Sequence, residues 1–196
     1  MLTPPKEMSP EGIERLKENE DCVLVAYQDP SGQKEAISAE IAAQGIADPA
    51  QVAAMYEKVN WAIGWGHNGS DVHDGTVWTQ EQADAALALK IEEIEATVNR
   101  CVTRQDCKQW HFDCFCDFEY NSGALCKSTM LKDYNAGTSD EVVEAELMKW
   151  VWSRGRKLAS LAGRRRTEIA EFENQYNLRK QPPAAAAGTD GEEAKT

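Results

Sequence analysis

The chain has 196 residues, 42% hydrophobic and 28% charged, a composition typical of a globular protein that buries a substantial core in one domain. Its net charge of −12 argues against nucleic acid and against anionic membrane surfaces as main partners. No apolar run is long enough to span a bilayer, and Met1–Glu7 lacks the apolar core of a signal peptide. We therefore expect a protein without a membrane anchor, kept in the cytosol until another agent releases it.

The first predicted helix begins at Ser9–Glu11, where serine is the N-cap, proline takes the first helical position and glutamate lies in the first turn. Ile13, Leu16 and Glu20 follow at intervals of three and four, so Glu20 continues the apolar stripe. A carboxyl group on an inward-facing stripe must find a donor or stay protonated. Glu20 is therefore a candidate functional residue. The alternative is a buried ion pair with an arginine that does no chemistry.

A small β-lobe is predicted next. Val23, Val25 and Tyr27 alternate and favour a short strand, and the turn residues Asp29–Gly32 follow it. A second strand is predicted at Trp61–Gly66. The other elements predicted here are two short helices within residues 33–60, one near 36–46 and one at 48–59, and a loop at 67–71.

A helical lobe follows the β-lobe. Thr79–Gln82 forms a capping box that opens a long helix. The apolar stripe of this helix consists of Ala83, Leu87, Ile91, Ile94 and Val98. Further helices are predicted at about 105–120, 128–135, 139–152 and 161–176, with breaks at Gly123, Gly137 and Gly155. The predicted fold is therefore α+β and mostly helical, with a cleft between the two lobes.

The two ends of the chain are expected to lie outside this domain. The run that starts at Pro182 is rich in proline and alanine and has little to bury. We divide the chain into an N-terminal extension at 1–8, one domain at 9–178 and a disordered tail at 179–196.

No metal or cofactor is expected from the sequence. No CxxC pair occurs, the spacing of Cys114 and Cys116 is a weak zinc signal, and the polar loop with His67 and Asp71 fits no zinc template. The cysteines are expected to be buried reduced thiols, and one or two disulfides forming after release remain open.

Two acids suggest the chemistry. Glu20 and Asp29 stand nine residues apart, at a predicted helix end and on a turn, and the glycine-punctuated strand Trp61–His67 comes later. Cleavage of a glycosidic bond needs one carboxyl kept protonated as general acid and a second kept ionised nearby. The order and spacing resemble those of the phage-type lysozymes, glycoside hydrolase family 24.

The resemblance covers roughly residues 8–173. The segments that carry it further are Thr79–Ala83, Phe112–Gly123, Ser128–Leu131, Asn135–Gly137, Trp150–Gly155 and Leu161–Glu168. It implies a two-lobed lysozyme-like fold and a bacteriolytic muramidase that cuts peptidoglycan between N-acetylmuramic acid and N-acetylglucosamine. It also implies a phage endolysin released through holin lesions, or else a lysozyme carried in the virion.

The resemblance assigns roles to individual residues. Glu20 is expected to donate a proton to the leaving oxygen, and Asp29 to activate water in an inverting displacement. Arg164, or next Arg165, is the cation expected beside Glu20. Asn121 is expected at the base of the cleft, where it touches sugar or only ties helix ends together.

Three departures from the family pattern stand out. Asp21 adds a charge beside the acid, which raises its pKa. The insertion 33–60 emerges at the β-lobe, where it extends the groove or is a surface decoration. Ala62 replaces a threonine whose hydroxyl holds the attacking water in the family. We expect another polar group to hold that water, and the candidates are His67, Asn68, Tyr56, Glu57 and Asn60.

Ala62 also keeps two other functions open. Without a fixed water, the acid can act as a lytic transglycosylase in which the substrate's own hydroxyl closes an anhydro sugar. Alternatively, the fold has lost turnover and binds peptidoglycan without cutting it.

Overall fold

The structure, a computed structural model, describes residues 5–28, 41–51, 61–153 and 156–174. The helices are α1 (Pro10–Asn19), α2 (Gln80–Cys101), α3 (Gln109–Ser122), α4 (Thr129–Asn135), α5 (Asp140–Leu147) and α6 (Ala159–Phe172). The strands are β1 (Val23–Gln28), β2 (Trp61–Gly64), β3 (Trp152–Ser153) and β4 (Arg156–Lys157). Residues 41–44 and 49–51 are also helical, and Leu125–Lys127 form a 3-10 turn. The predicted mostly helical α+β class is confirmed.

Helix α1 begins where the sequence predicts. The Ser9 hydroxyl accepts from the Gly12 backbone N–H (3.0 Å), and Pro10 takes the first helical position. Ser9 is itself held by Asp113 of α3, whose carboxylate accepts from the Ser9 hydroxyl at 2.6 Å and from its backbone N–H at 3.0 Å. Because α1 ends at Asn19, Glu20 is the first residue beyond the helix.

Strands β1 and β2 pair antiparallel, with Tyr27 opposite Ala62, and they form the β-lobe. The predicted first strand is present, and its buried side chain is that of Ala26. Ala26 is buried with Ile63 against two tryptophans, whereas Val25 is 56% exposed. The backbone N–H of Ala26 also donates a hydrogen bond to the carbonyl of Thr76, in the segment before α2. This pairing helps to fix which face of β1 turns inward.

The second predicted strand ends two residues early. Its chain turns at Gly64 and Gly66, which have φ of 63° and 89°, values that favour glycine. Ile63 and His67 close this turn by exchanging two backbone hydrogen bonds of 2.9 Å. The turn is important because it carries Trp65 and Gly66 towards the helical lobe.

The helical lobe is built around α2 and α3. The capping box at Thr79 and Gln82 is present, and all five predicted stripe residues of α2 are buried. Helix α3 packs against α1, α2 and α6 and is buried from His111 to Phe118. A helix surrounded on several sides has no polar face to present, and this explains its apolar sequence. The two acids in that run, Asp113 and Asp117, therefore need partners inside the protein.

One predicted helix is wrong in its second half. The helix expected at 139–152 ends at Leu147, and β3 and β4 then form an antiparallel pair that leads into α6. Val151 and Trp152 are of the types that favour strands, and the carbonyl of Val151 accepts from the N–H of Leu158 (2.9 Å). Helix α6 starts two residues earlier than predicted.

The ends of the chain and most of the insertion lie outside the described residues, so the predicted domain limits and the tail 179–196 stay predictions. In the part of the chain that the structure describes, no helix is long and apolar enough to cross a membrane. The same part holds no group of three or more His, Cys, Asp or Glu residues arranged to hold a metal ion.

A disulfide joins Cys101, the last residue of α2, to Cys126 in the 3-10 turn, with Cα atoms 5.5 Å apart. The sequence left this pairing open. Cys114 and Cys116 are free and buried, as expected, and burial raises their pKa well above the ordinary value. They are therefore packing residues rather than reactive thiols.

Replacing Cys101 and Cys126 with serine is expected to lower the free energy of unfolding by about 3 kcal/mol, because the bridge closes a 25-residue separation in the unfolded chain. Chemical denaturation with and without a thiol reductant measures this effect. The matched control is Cys22→Ser, a half-buried free cysteine, which should change stability little. A wild type whose stability is the same under both conditions would contradict the prediction.

Candidate active site

Glu20 lies directly after α1 and faces α6. Its carboxylate accepts a hydrogen bond from Nη1 of Arg164, and the two side chains form an ion pair. The Glu20 side chain is 22% exposed and that of Arg164 is 10% exposed. The pair therefore lies at the margin of the core, where the carboxyl group can still meet solvent or a ligand.

Arg164 is shared with two further acids. Its Nη2 donates to Oδ1 of Asp117 at 2.7 Å, and its Nε lies 3.5 Å from Oε1 of Glu168. Asp117 and Glu168 are almost completely buried, and Glu168 also accepts from Arg165 at 2.7 Å. Burial and then the charge of Asp117 raise the pKa of Glu168 well above its ordinary value. Glu168 therefore tends to be neutral, and Arg164 serves mainly Glu20 and Asp117.

These surroundings favour the protonated form of Glu20. Burial is the largest cause that raises its pKa above the ordinary value, and Arg164 opposes it by its charge and its hydrogen bond. The charges of Asp117 and Asp21 raise the pKa of Glu20 further. The predicted effect of Asp21 is thus present, but it is the smallest of these contributions. A carboxyl group whose pKa is raised in this way is suited to act as a proton donor.

A groove of about 440 Å³ opens at Gly66, a neighbour of Glu20. Its walls are Trp65–Asn68 from the β-lobe and a face of α2, with Tyr120 from α3. Gly66 is the lining residue that approaches Glu20: an added Cβ there would lie 3.9 Å from Oε2 of Glu20. Because Gly66 has no side chain, only its backbone stands between the acid and the groove at this point.

Trp65 is held firmly at the groove wall. Its indole N–H donates to Asp84 at 2.9 Å, and Lys17 donates to the same oxygen at 2.8 Å while lying 5.0 Å from the centre of the indole ring. The hydroxyl of Tyr120 donates to the carbonyl of Trp65. Burial, followed by the charge of Glu20, raises the pKa of Tyr120, so it remains a neutral donor.

His67 and Asn68 both line the groove, so two of the candidates for holding water lie on its wall. The His67 ring is 3.2 Å from both carboxylate oxygens of Asp71 and packs on Trp78 with ring centres 5.1 Å apart. Ala62 lies in β2 and is 4% exposed. Its methyl group offers no hydrogen bond to a water.

Asn121 stands at the end of α3. Its Oδ1 accepts from Arg165 of α6 at 2.7 Å, which ties the two helices together, and its side chain is exposed. Of the two uses foreseen for Asn121, the structural tie is present. Arg165 is directed to Asn121 and Glu168, whereas Arg164 is the arginine in contact with Glu20.

Asp29 and Tyr56 fall outside the described residues, as do Glu57 and Asn60. Asp29 follows directly after Gln28, the last residue of β1, which pairs with Trp61 at the start of β2.

Sequence reasoning gave no role to Asp117, Tyr120 or Trp65. A signal for Asp117 was present, because it recurs four residues after Asp113 in an otherwise apolar run. Two carboxyl groups on one face of a buried helix must each be paired. Which residues pair with them depends on contacts across the chain, and Arg164 is 47 positions away.

Comparisons with known proteins agree on one family. The family profile described as phage lysozyme matches residues 41–168. This stretch is well over half of the chain; it includes Asp117 and Arg164 and begins after Glu20.

Two relatives of known name are endolysins. The endolysin of Bacillus phage B103 is 35% identical over 131 residues, which are 66% of this chain and 49% of that protein. The endolysin of Acyrthosiphon pisum secondary endosymbiont phage 1 is 35% identical over 120 residues, 58% of this chain and 80% of that protein. The chain thus spans about half the length of the Bacillus phage relative.

Solved structures share the fold. The muramidase domain of SpmX from Asticaccaulis excentricus is 25% identical with a TM-score of 0.64, covering 85% of this chain and 97% of that one. The endolysin from Escherichia coli O157:H7 phage FAHEc1 is 24% identical with a TM-score of 0.67, covering 89% of this chain and 98% of that one. The two-lobed arrangement described above is therefore the fold of phage lysozymes.

Proposed function

The chain belongs to the phage lysozyme family, and we propose that it hydrolyses the β-1,4 bond between N-acetylmuramic acid and N-acetylglucosamine in bacterial peptidoglycan. The observation that carries the proposal is the environment of Glu20. Burial raises the pKa of this carboxyl group, Arg164 orients it, and a groove opens beside it. A proton donor beside an open groove is the first requirement of glycosidic cleavage.

In this proposal Glu20 protonates the leaving glycosidic oxygen. Asp29, ionised, activates water on the opposite face of the sugar and stabilises the oxocarbenium-like transition state. Inversion of the anomeric centre needs the two carboxyl groups roughly 6.5–9.5 Å apart, so that a water fits between them. Asp29 lies outside the described residues, so this separation is part of the proposal. No metal or cofactor is required for these steps.

The attacking water needs a holder other than residue 62. We propose His67 or Asn68 for this role because both line the groove, with Tyr56 and the other insertion residues as further candidates. Loss of one positioning donor costs on the order of 3 kcal/mol at the barrier, which leaves a slower enzyme rather than an inactive one.

Analysis of the released sugars tests the proposal. Digestion of purified sacculi is expected to give muropeptides with reducing N-acetylmuramic acid ends, which borohydride converts to the alcohol. Fresh product examined by proton NMR is expected to show the α-anomer first, because the displacement inverts.

Ala62 is the observation that favours a second candidate, a lytic transglycosylase, since it leaves no hydroxyl for the water at its position. Muropeptides with anhydro ends, which borohydride does not reduce, would show that the reaction is transglycosylation and not hydrolysis. Binding of sacculi without release of any fragment would instead support a catalytically weakened binding protein.

For the biological setting we propose a phage endolysin that reaches the cell wall from the host cytoplasm, with holin-dependent release. A virion-borne lysozyme is the alternative. Lysis of outer-membrane-permeabilised cells with and without a co-expressed holin separates the two.

A further inference from the structure

The side chain of Asp117 is buried against Arg164, and its two carboxylate oxygens have different partners. Oδ1 accepts from Nη2 of Arg164 at 2.7 Å. Oδ2 accepts from the side-chain amide of Asn19 at 2.9 Å. Arg164 is the cation on Glu20, and Asn19 is the residue directly before Glu20. The carboxylate of Asp117 thus contacts both the arginine that is paired with Glu20 and the residue that precedes Glu20 in the chain.

We propose that Asp117 is a positioning residue for the proton donor: it fixes both the guanidinium that contacts Glu20 and the end of the helix that presents Glu20. This inference rests on the proposed role of Glu20 as general acid. Asp117 itself lies behind Arg164 and is 1% exposed, so it acts through its partners and does not touch substrate.

The same contacts set the protonation of the donor. The groups that face Glu20 among the described residues are Arg164 from α6, Asp117 and Tyr120 from α3, and the neighbouring Asp21. The negative charge of Asp117 favours the protonated form of Glu20 directly. It also offsets part of the positive charge of Arg164, which favours the ionised form. Both effects raise the pKa of Glu20, so both are lost together when Asp117 is replaced by asparagine.

The chain offers a matched control in Asp113. It lies one turn earlier on α3, is equally buried and also holds α1, but at the start of that helix through Ser9. Asp113 contacts neither Glu20 nor Arg164 in the contacts described. Asp113→Asn and Asp117→Asn therefore make the same chemical change at equally buried positions, and only the second reaches the proton donor.

The test is the pH dependence of kcat/KM on dye-labelled sacculi for these variants. Because activity requires protonated Glu20, the alkaline limb of Asp117→Asn should move to lower pH. The ratio of activity at pH 8 to that at pH 5.5 is expected to fall about five-fold relative to wild type. Asp113→Asn should keep the wild-type ratio. An unchanged ratio in Asp117→Asn, or the same change in both variants, would overturn the inference.

Asn19→Ala supplies a second test that does not depend on the folding of Asp117→Asn. It removes one of the two contacts and leaves every charge in place, so kcat is expected to fall several-fold with little change in KM and no change in the alkaline limb. Wild-type kcat in Asn19→Ala would contradict the positioning role. Full activity of Glu20→Gln would instead refute the proposed function itself, so the two failures are distinguishable.

Discussion

Replacing Glu20 with glutamine is expected to reduce lysis of permeabilised cells by about 1,000-fold, because the amide cannot donate the proton that the leaving oxygen needs. The fold should survive this change. Arg164 keeps Asp117 as a partner at 2.7 Å, and the amide oxygen can still accept from the guanidinium. Turbidity loss measured alongside thermal unfolding separates an effect on chemistry from an effect on folding.

The control for this prediction is Glu18→Gln, the same chemical change two residues away on the exposed face of α1. It should lyse cells at the wild-type rate. If Glu20→Gln retained more than about one tenth of wild-type activity, a role as general acid would be untenable.

Replacing Arg164 with alanine is expected to give a large loss of stability. The change strips the cation from Asp117, which is buried at 1% exposure, whereas Glu168 keeps Arg165. Removing one partner of a buried ion pair costs about 3 kcal/mol or more, because the remaining charge has no compensation. For a chain of this size this corresponds to a fall in Tm of roughly 6–12 °C. Differential scanning calorimetry measures it.

Arg166→Ala is the matched control, since Arg166 lies two residues after Arg164 on the same helix and is exposed. Its Tm should stay within about 2 °C of wild type. Equal stability of the Arg164 and Arg166 variants would show that the buried cluster contributes nothing to folding.

The Arg164 and Asp117 changes should act on the proton donor in opposite directions. Arg164 lowers the pKa of Glu20 and Asp117 raises it. Loss of the arginine therefore extends the protonated form to higher pH, while loss of the aspartate charge withdraws it to lower pH. The activity of Arg164→Ala, measured below its unfolding temperature, should therefore begin to fall at a higher pH than the activity of the wild type.

Local patterns predicted much of the fold. The N-cap at Ser9, the capping box at Thr79 and the period of the apolar residues in α2 are each decided within a few neighbouring residues. Glu20 was also recognisable, because a carboxyl group among apolar positions is costly wherever it ends up.

Features that depend on distant contacts were not predictable in the same way. The helix predicted at 139–152 was extended past Leu147 into the start of β3 because those residues contain no local stop signal before Trp152. The inward face of β1 depends on a backbone hydrogen bond from Ala26 to Thr76, fifty positions away. The pairing of Asp117 with Arg164 likewise requires α3 and α6 to be packed first.

The most direct measurement of the central claim is a titration of the Glu20 carboxyl carbon by NMR in the free enzyme. The ordinary pKa of a glutamate is about 4.5. We expect Glu20 to titrate above that value, and to do so at the pH where kcat/KM begins to fall on the alkaline side. A carboxyl group that titrates at or below the ordinary value, or an activity limb that follows another group, would contradict the account.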